Sequence, residues 1–167
     1  MSMIAGKPVA ALLCLAVLGT ACSAPTSDPG TDRQAQVAEK GKSVMPFDLD
    51  KTTHRFTPRE DGLLQEVFAD TPDDTNQINL IREHIATEAD RFRRGDFSDP
   101  ATIHGTAMPG LAELSSSATK ITIAEADLPN GASLTFRTTD PALVKALHAW
   151  GEAQVADHGK HAEHGTK

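Results

Sequence analysis

The sequence predicts an α+β fold: two hairpin–helix (ββα) units whose four strands form one antiparallel sheet, with the helices on one face. Three observations carry this. Two stretches alternate apolar and polar residues around a Pro/Gly turn. Each leads into an Asp/Pro helix start, and each helix that follows carries apolar residues at helical spacing. The folded domain is expected from Met45 to about His158, long enough for one small domain with a modest core. Tyrosine is absent and Trp150 is the single tryptophan, so Leu, Ile, Val and six Phe must build most of that core.

The first hairpin pairs His54–Thr57 with Leu63–Ala69 across Pro58-Arg-Glu-Asp-Gly62, where Pro and Gly supply the backbone angles of the turn. Asp70-Thr-Pro-Asp-Asp74 offers a capping side chain, a proline for the first helical position and first-turn acids. Ile78, Ile81, Ile85, Ala89 and Phe92 then recur on one face, and Arg93-Arg94-Gly95 closes the helix. Arg91–Leu111 reads as a loop, with Leu111–Ala118 a short helix after it. Lys120–Glu125 and Ala132–Thr138 form the second hairpin around Pro129-Asn-Gly131, and Asp140-Pro141 starts a helix that turns Leu143, Val144 and Leu147 to the sheet. Both helices carry His-x-x-x-Glu, at His84/Glu88 and His148/Glu152, which makes the halves a diverged repeat in outline.

The ends of the chain speak to location. Lys7 precedes an apolar run from Val9 to Leu18, too short to span a bilayer and suited to a signal-peptide core. Leu18-Gly-Thr-Ala-Cys22 resembles a bacterial lipobox, with Gly19 where Leu is preferred. The resemblance implies cleavage after residue 21 and a lipid on Cys22. Residues 22–44, rich in Ser, Thr, Pro, Gly and charge, read as a flexible tether. Residues 159–167 read as a disordered His-rich tail, and the tract His158-Gly-Lys-His161-Ala-Glu-His164 as able to hold Cu(II), Zn or Ni loosely. Cys14 falls within the leader and Cys22 would be blocked, which excludes a disulfide framework, a thiolate metal site and a cysteine nucleophile. The net charge is −7, and loss of Lys7 with the leader makes the mature chain one unit more acidic. Such a surface excludes nucleic acid as a partner and favours cations.

Chemistry concentrates in few places. His104-x-x-x-Met108 lies among glycines and prolines and pairs an imidazole with a thioether, a donor set that suits copper, particularly Cu(I), better than magnesium or calcium. The i,i+4 pairs His84/Glu88 and His148/Glu152 each present two metal donors, or a histidine oriented by a carboxylate, on one helix face; as plain surface pairs they would contribute a few tenths of a kcal/mol. His54 is a further candidate ligand. No glycine-rich phosphate loop, serine nucleophile elbow or His-Glu-x-x-His zinc motif is present.

Met45-Pro-Phe-Asp-Leu-Asp-Lys-Thr-Thr-His54, Gly95–Leu111 (GDFSDPATIHGTAMPGL) and Ala146–Trp150 (ALHAW) together resemble a family of small exported bacterial proteins. Members are at times labelled aspartate carbamoyltransferase. The chain lacks the Ser-Thr-Arg-Thr phosphate loop of that enzyme, so the resemblance implies a shared fold and export, and no carbamoyl transfer.

The expectation is therefore an exported, lipid-anchored envelope protein that binds copper through His104, Met108, His84, His148 and His54, aided by Glu88 and Glu152, without catalysis. The rival is a non-catalytic module that binds an envelope protein and keeps its histidines for structure. A third class is an enzyme with His104 or His148 as general base. Convergence of His54, His84, His104 and His148 in space would favour a site, and scattering would favour the rival.

Overall fold

The computed structural model describes residues 28–166; the expected signal peptide and Cys22 lie outside them. The α+β class holds, but the sheet has five strands and is mixed. Its order is β3-β4-β2-β1-β5, with β1 Thr52–Arg59, β2 Gly62–Ala69, β3 Thr122–Leu128, β4 Gly131–Arg137 and β5 Ala162–His164. Both hairpins form where the alternation places them. The second hairpin also pairs with the first through β2 and β4, aligning Leu63 with Phe136 and Val67 with Ala132. The departure is β5, which adds in parallel to β1.

Among the described residues five α-helices accompany the sheet: α1 Pro29–Gly41, α2 Thr75–Arg93, α3 Ser98–His104, α4 Leu111–Ser116 and α5 Pro141–His158. The apolar stripe of α2 (Ile78, Ile81, Ile85, Ala89 and Phe92) is buried throughout. Its start differs from expectation. Asp74 is the N-cap and accepts from the backbone N–H of Gln77 at 3.2 Å, so Pro72 lies before the helix and not at its first position. In α5 the Asp140-Pro141 start holds, with the Asp140 carboxylate accepting from Ala142 at 2.9 Å. Phe92 of α2 and Trp150 of α5 both meet Phe136 of β4, at 6.1 and 5.6 Å between ring centres. That shared contact puts both long helices on one face of the sheet. Phe136 is fully buried and Trp150 is 1% exposed.

Two glycines make the joints. Gly95 takes φ 77° just after α2. Gly110 takes φ 79° at the start of α4, where a Cβ would lie 2.3 Å from the Ala146 carbonyl oxygen of α5.

Three stretches depart from expectation. The stretch expected as a tether contains α1, capped by Asp28 and opened by Pro29. Its polar composition hides it, because one stripe (Val37 and Gly41) is buried and the rest of the docking is polar. Arg33 pairs with Asp157, and Gln34 donates to the Ala156 carbonyl. Residues 98–104 of the expected loop are helical. The expected disordered tail turns back after His158 and forms β5, fixed by Lys160–Asp50 and Arg55–Glu163 pairs at 2.9 and 2.6 Å. Among the described residues no helix is long and apolar enough to cross a membrane.

Candidate functional site

Four imidazoles reach one cavity of about 40 Å³ from four elements: His54 of β1, His84 of α2, His104 at the end of α3 and His158 at the end of α5. The periodicity of each element accounts for the meeting. Alternation in β1 turns Thr52, His54 and Phe56 to the helix side. Helical spacing sets His84 beside Ile81, Ile85 and Glu88, and aligns Leu147, Trp150, Gln154 and His158 on the buried side of α5. His104 is the last residue of α3, just before Gly105 turns the chain at φ 86°.

The inner part of the cavity is formed by His54, His104 and His158, which are 4–5% exposed. Val44, Met45, His84 and Asp99 are half-buried and form its rim. Ile85, Phe92, Ile103 and Trp150 make the wall apolar, while Gln65, Gln154 and Glu88 add polar groups. A volume of this size suits an ion with a water molecule rather than a metabolite.

The rings pack on one another. His54 and His158 stack at 5.3 Å and 5°, and His104 meets His158 edge-on at 4.9 Å. Phe47 lies 5.8 Å from His54 and 5.6 Å from His84. One of the rings, that of His104, is oriented by its neighbours. His104 Nδ1 is 2.8 Å from Asp157 Oδ2, and Arg33 holds that carboxylate with Nε at 3.0 Å while its Nη2 donates to the His104 carbonyl at 2.7 Å. The proton is thus assigned to Nδ1, leaving Nε2 as the lone-pair nitrogen, as in a carboxylate–histidine–metal arrangement. Among the described residues, the buried His54 Nδ1 has no hydrogen-bond partner. Gln65 Oε1 and Trp150 Nε1, from two other cavity residues, also lack partners.

Burial decides the charge states. Desolvation holds His54 down at about 4, and pushes His158 well below its ordinary value. It also lowers His84 and His104, in the latter against the attraction of Asp157. All four rings are neutral at pH 7, the form that binds metals. Burial, reinforced by Asp99, raises Glu88 to about 8, so it too is neutral at pH 7. Arg91 pairs with both carboxyls.

The sequence-predicted residues divide accordingly. His54, His84, His104 and Glu88 come together. Met108 does not: it is 6% exposed within the apolar core, because α3 ends at His104 and the two side chains are not on one helical turn. The thioether on the cavity wall is that of Met45. His148 also stands apart, its Nε2 at 2.9 Å from the Arg59 carbonyl and 3.0 Å from that of Gly62, pinning the β1–β2 turn. Glu152 is exposed and faces His164 at 3.6 Å. His158 was expected only in the loose His-rich tract and not beside the other three rings; the signal for its place here was the Leu147/Trp150/Gln154/His158 spacing. Among the described residues, no three His, Cys, Asp or Glu side chains are already grouped to hold an ion. No family model, curated protein or solved structure matches the chain.

Proposed function

We propose that the protein binds a transition metal, most consistently copper as Cu(I), in the polyhistidine cavity, with His54, His104 and His158 as inner donors. His84 and Met45 stand at the rim. The observation that carries this reading is the convergence of four neutral imidazoles, drawn from a chain that has seven histidines. An ion would draw the stacked rings of His54 and His158 out of parallel contact. The charge balance favours a monovalent ion. The Born cost of burial grows with the square of the charge, and the carboxyls here are either neutral, as Glu88, or tied to Arg91. Imidazole and thioether donors point the same way. Export and a lipid on Cys22 belong to the same proposal, on the strength of the leader sequence.

The His104–Asp157 pair also has the form of a base held by a carboxylate. Among the described residues no Ser, Thr or Cys lines the cavity to be activated by it, so metal binding is the better reading. The test is Cu(I) titration of tag-free protein against a competing chelator, with His104→Ala and His158→Ala alongside. Each variant should weaken binding at least about tenfold, and Zn(II) should bind the parent less tightly than Cu(I). Affinities unchanged by either substitution, or no Cu(I) bound by the parent, would sink the proposal and favour the envelope-partner reading.

A further inference from the structure

We infer that Arg33 of α1 is a positioning residue for the cavity: its guanidinium clamps Asp157 and the His104 carbonyl together, and so fixes which nitrogen of His104 the cavity receives. The inference deepens the metal-binding proposal and rests on it for its purpose, though not for its geometry.

The clamp joins three elements. Arg33 of α1 meets the Asp157 carboxylate of α5 with Nε at 3.0 Å and Nη2 at 2.5 Å, a two-pronged pairing that a planar guanidinium makes and an ammonium does not. The same Nη2 donates at 2.7 Å to the carbonyl of His104, the last residue of α3. A carbonyl in the last turn of a helix has no donor within that helix, so Arg33 supplies what α3 cannot. The ring is held through the same group. Asp157 Oδ2 lies 2.8 Å from His104 Nδ1, and an ionised carboxylate only accepts, so Nδ1 carries the proton. Among the described residues the cavity lining includes His104 and not Asp157, which leaves Nε2 as the nitrogen for an occupant.

α3 has little else to fix its end. It is seven residues long, has no side-chain cap at its start, and is followed by Gly105, where a Cβ would meet nothing within 4 Å. A helix of that length does not hold its own geometry in water. Docking of α1 and positioning of the ring are nevertheless separable. Gln34 also ties α1 to α5, donating to the Ala156 carbonyl at 3.1 Å, and this bond engages neither the Asp157 carboxylate nor His104. The Arg33 side chain is 39% exposed, so replacing it empties no core.

The experiment uses ¹⁵N-labelled, tag-free, metal-free full-length protein and long-range ¹H–¹⁵N correlation spectra of the imidazoles. His104 should show a single neutral form protonated on Nδ1. In Arg33→Met, and independently in Arg33→Gln, His104 should become a mixture of tautomers. Cu(I) affinity should fall about tenfold in both, the usual cost of losing support behind a ligand. Gln34→Ala removes a docking bond and leaves the clamp, so it should keep the parent's tautomer and affinity. The inference is overturned by a His104 ring protonated on Nε2 in the parent, or by an unchanged tautomer in both Arg33 variants. An equal change in Gln34→Ala, or an unchanged Cu(I) affinity where the tautomers have mixed, overturns it as well. If the parent binds no Cu(I), the metal reading fails while the spectra still decide the role of Arg33, so the two failures are distinguishable.

Discussion

His104 and Met108 show how far residue spacing can be trusted. Four positions bring two side chains together only within a helix, and α3 stops at the histidine. The imidazole goes to the cavity and the thioether to the core. Met108→Leu keeps bulk and apolar character, so it should cost under about 1.5 kcal/mol and leave Cu(I) affinity unchanged, measured by melting and by chelator competition. A loss of affinity with the fold intact would return Met108 to the site. Of the inner rings of the cavity, His54 and His104 were legible as candidates because they stand in informative local patterns. His158 was not: the apolar stripe of α5 runs on into a stretch whose Gly, Lys and His composition looks like a frayed end. The carboxylate that orients His104 lies 53 residues from it, at Asp157, beyond the reach of any local pattern.

At the scale of elements, legibility followed whether an element is declared by its own residues. The stripe of α2, the alternation and turn of the second hairpin, and the Asp140-Pro141 cap are local signals, and all three formed within a few residues of expectation. The α1 and β5 segments are short, polar and held by tertiary partners, where isolated propensity says little. Composition read both as solvent. If α1 is folded onto α5, Val37, which is fully buried, should matter. Val37→Ala should lower stability by about 1–3 kcal/mol, the usual cost of emptying a small core site. Thermal denaturation checks this directly, because a free tether would leave the melting curve unmoved. Val37 sits one helical turn beyond Arg33, so the same substitution tests the docking that holds Asp157 against His104.

Across the whole molecule the cavity sets a conflict between acid and alkali. The four histidines have folded-state values below their unfolded ones, so the unfolded chain binds more protons once pH falls through about 6.5. Stability is then lost on acidification, and His54 continues to contribute to that loss down to about 4. Glu88 has the opposite sign. Its folded value of about 8 lies above the unfolded one, so the stability its neutral form contributes is lost as pH rises from about 4.5 through 8. Asp99 and Arg91 face Glu88, and Asp157 and Arg33 face His104, so these charges moderate the slopes without reversing them. The opposing slopes balance near neutrality, at about pH 7, with a change of up to about 1.4 kcal/mol per pH unit for each group. Metal-free protein should therefore be most stable near pH 7, fall steeply towards pH 4 and decline gently towards pH 8. Glu88→Gln keeps the shape but removes the titration, so it should flatten the alkaline side and steepen the acid side between about pH 7 and 4.5, where Glu88 opposes the histidines. Denaturant unfolding across that range measures both limbs. A parent curve flat from pH 7 to 4 would mean that the imidazoles are not held neutral by burial, and with them would go the electrostatic case for a monovalent ion.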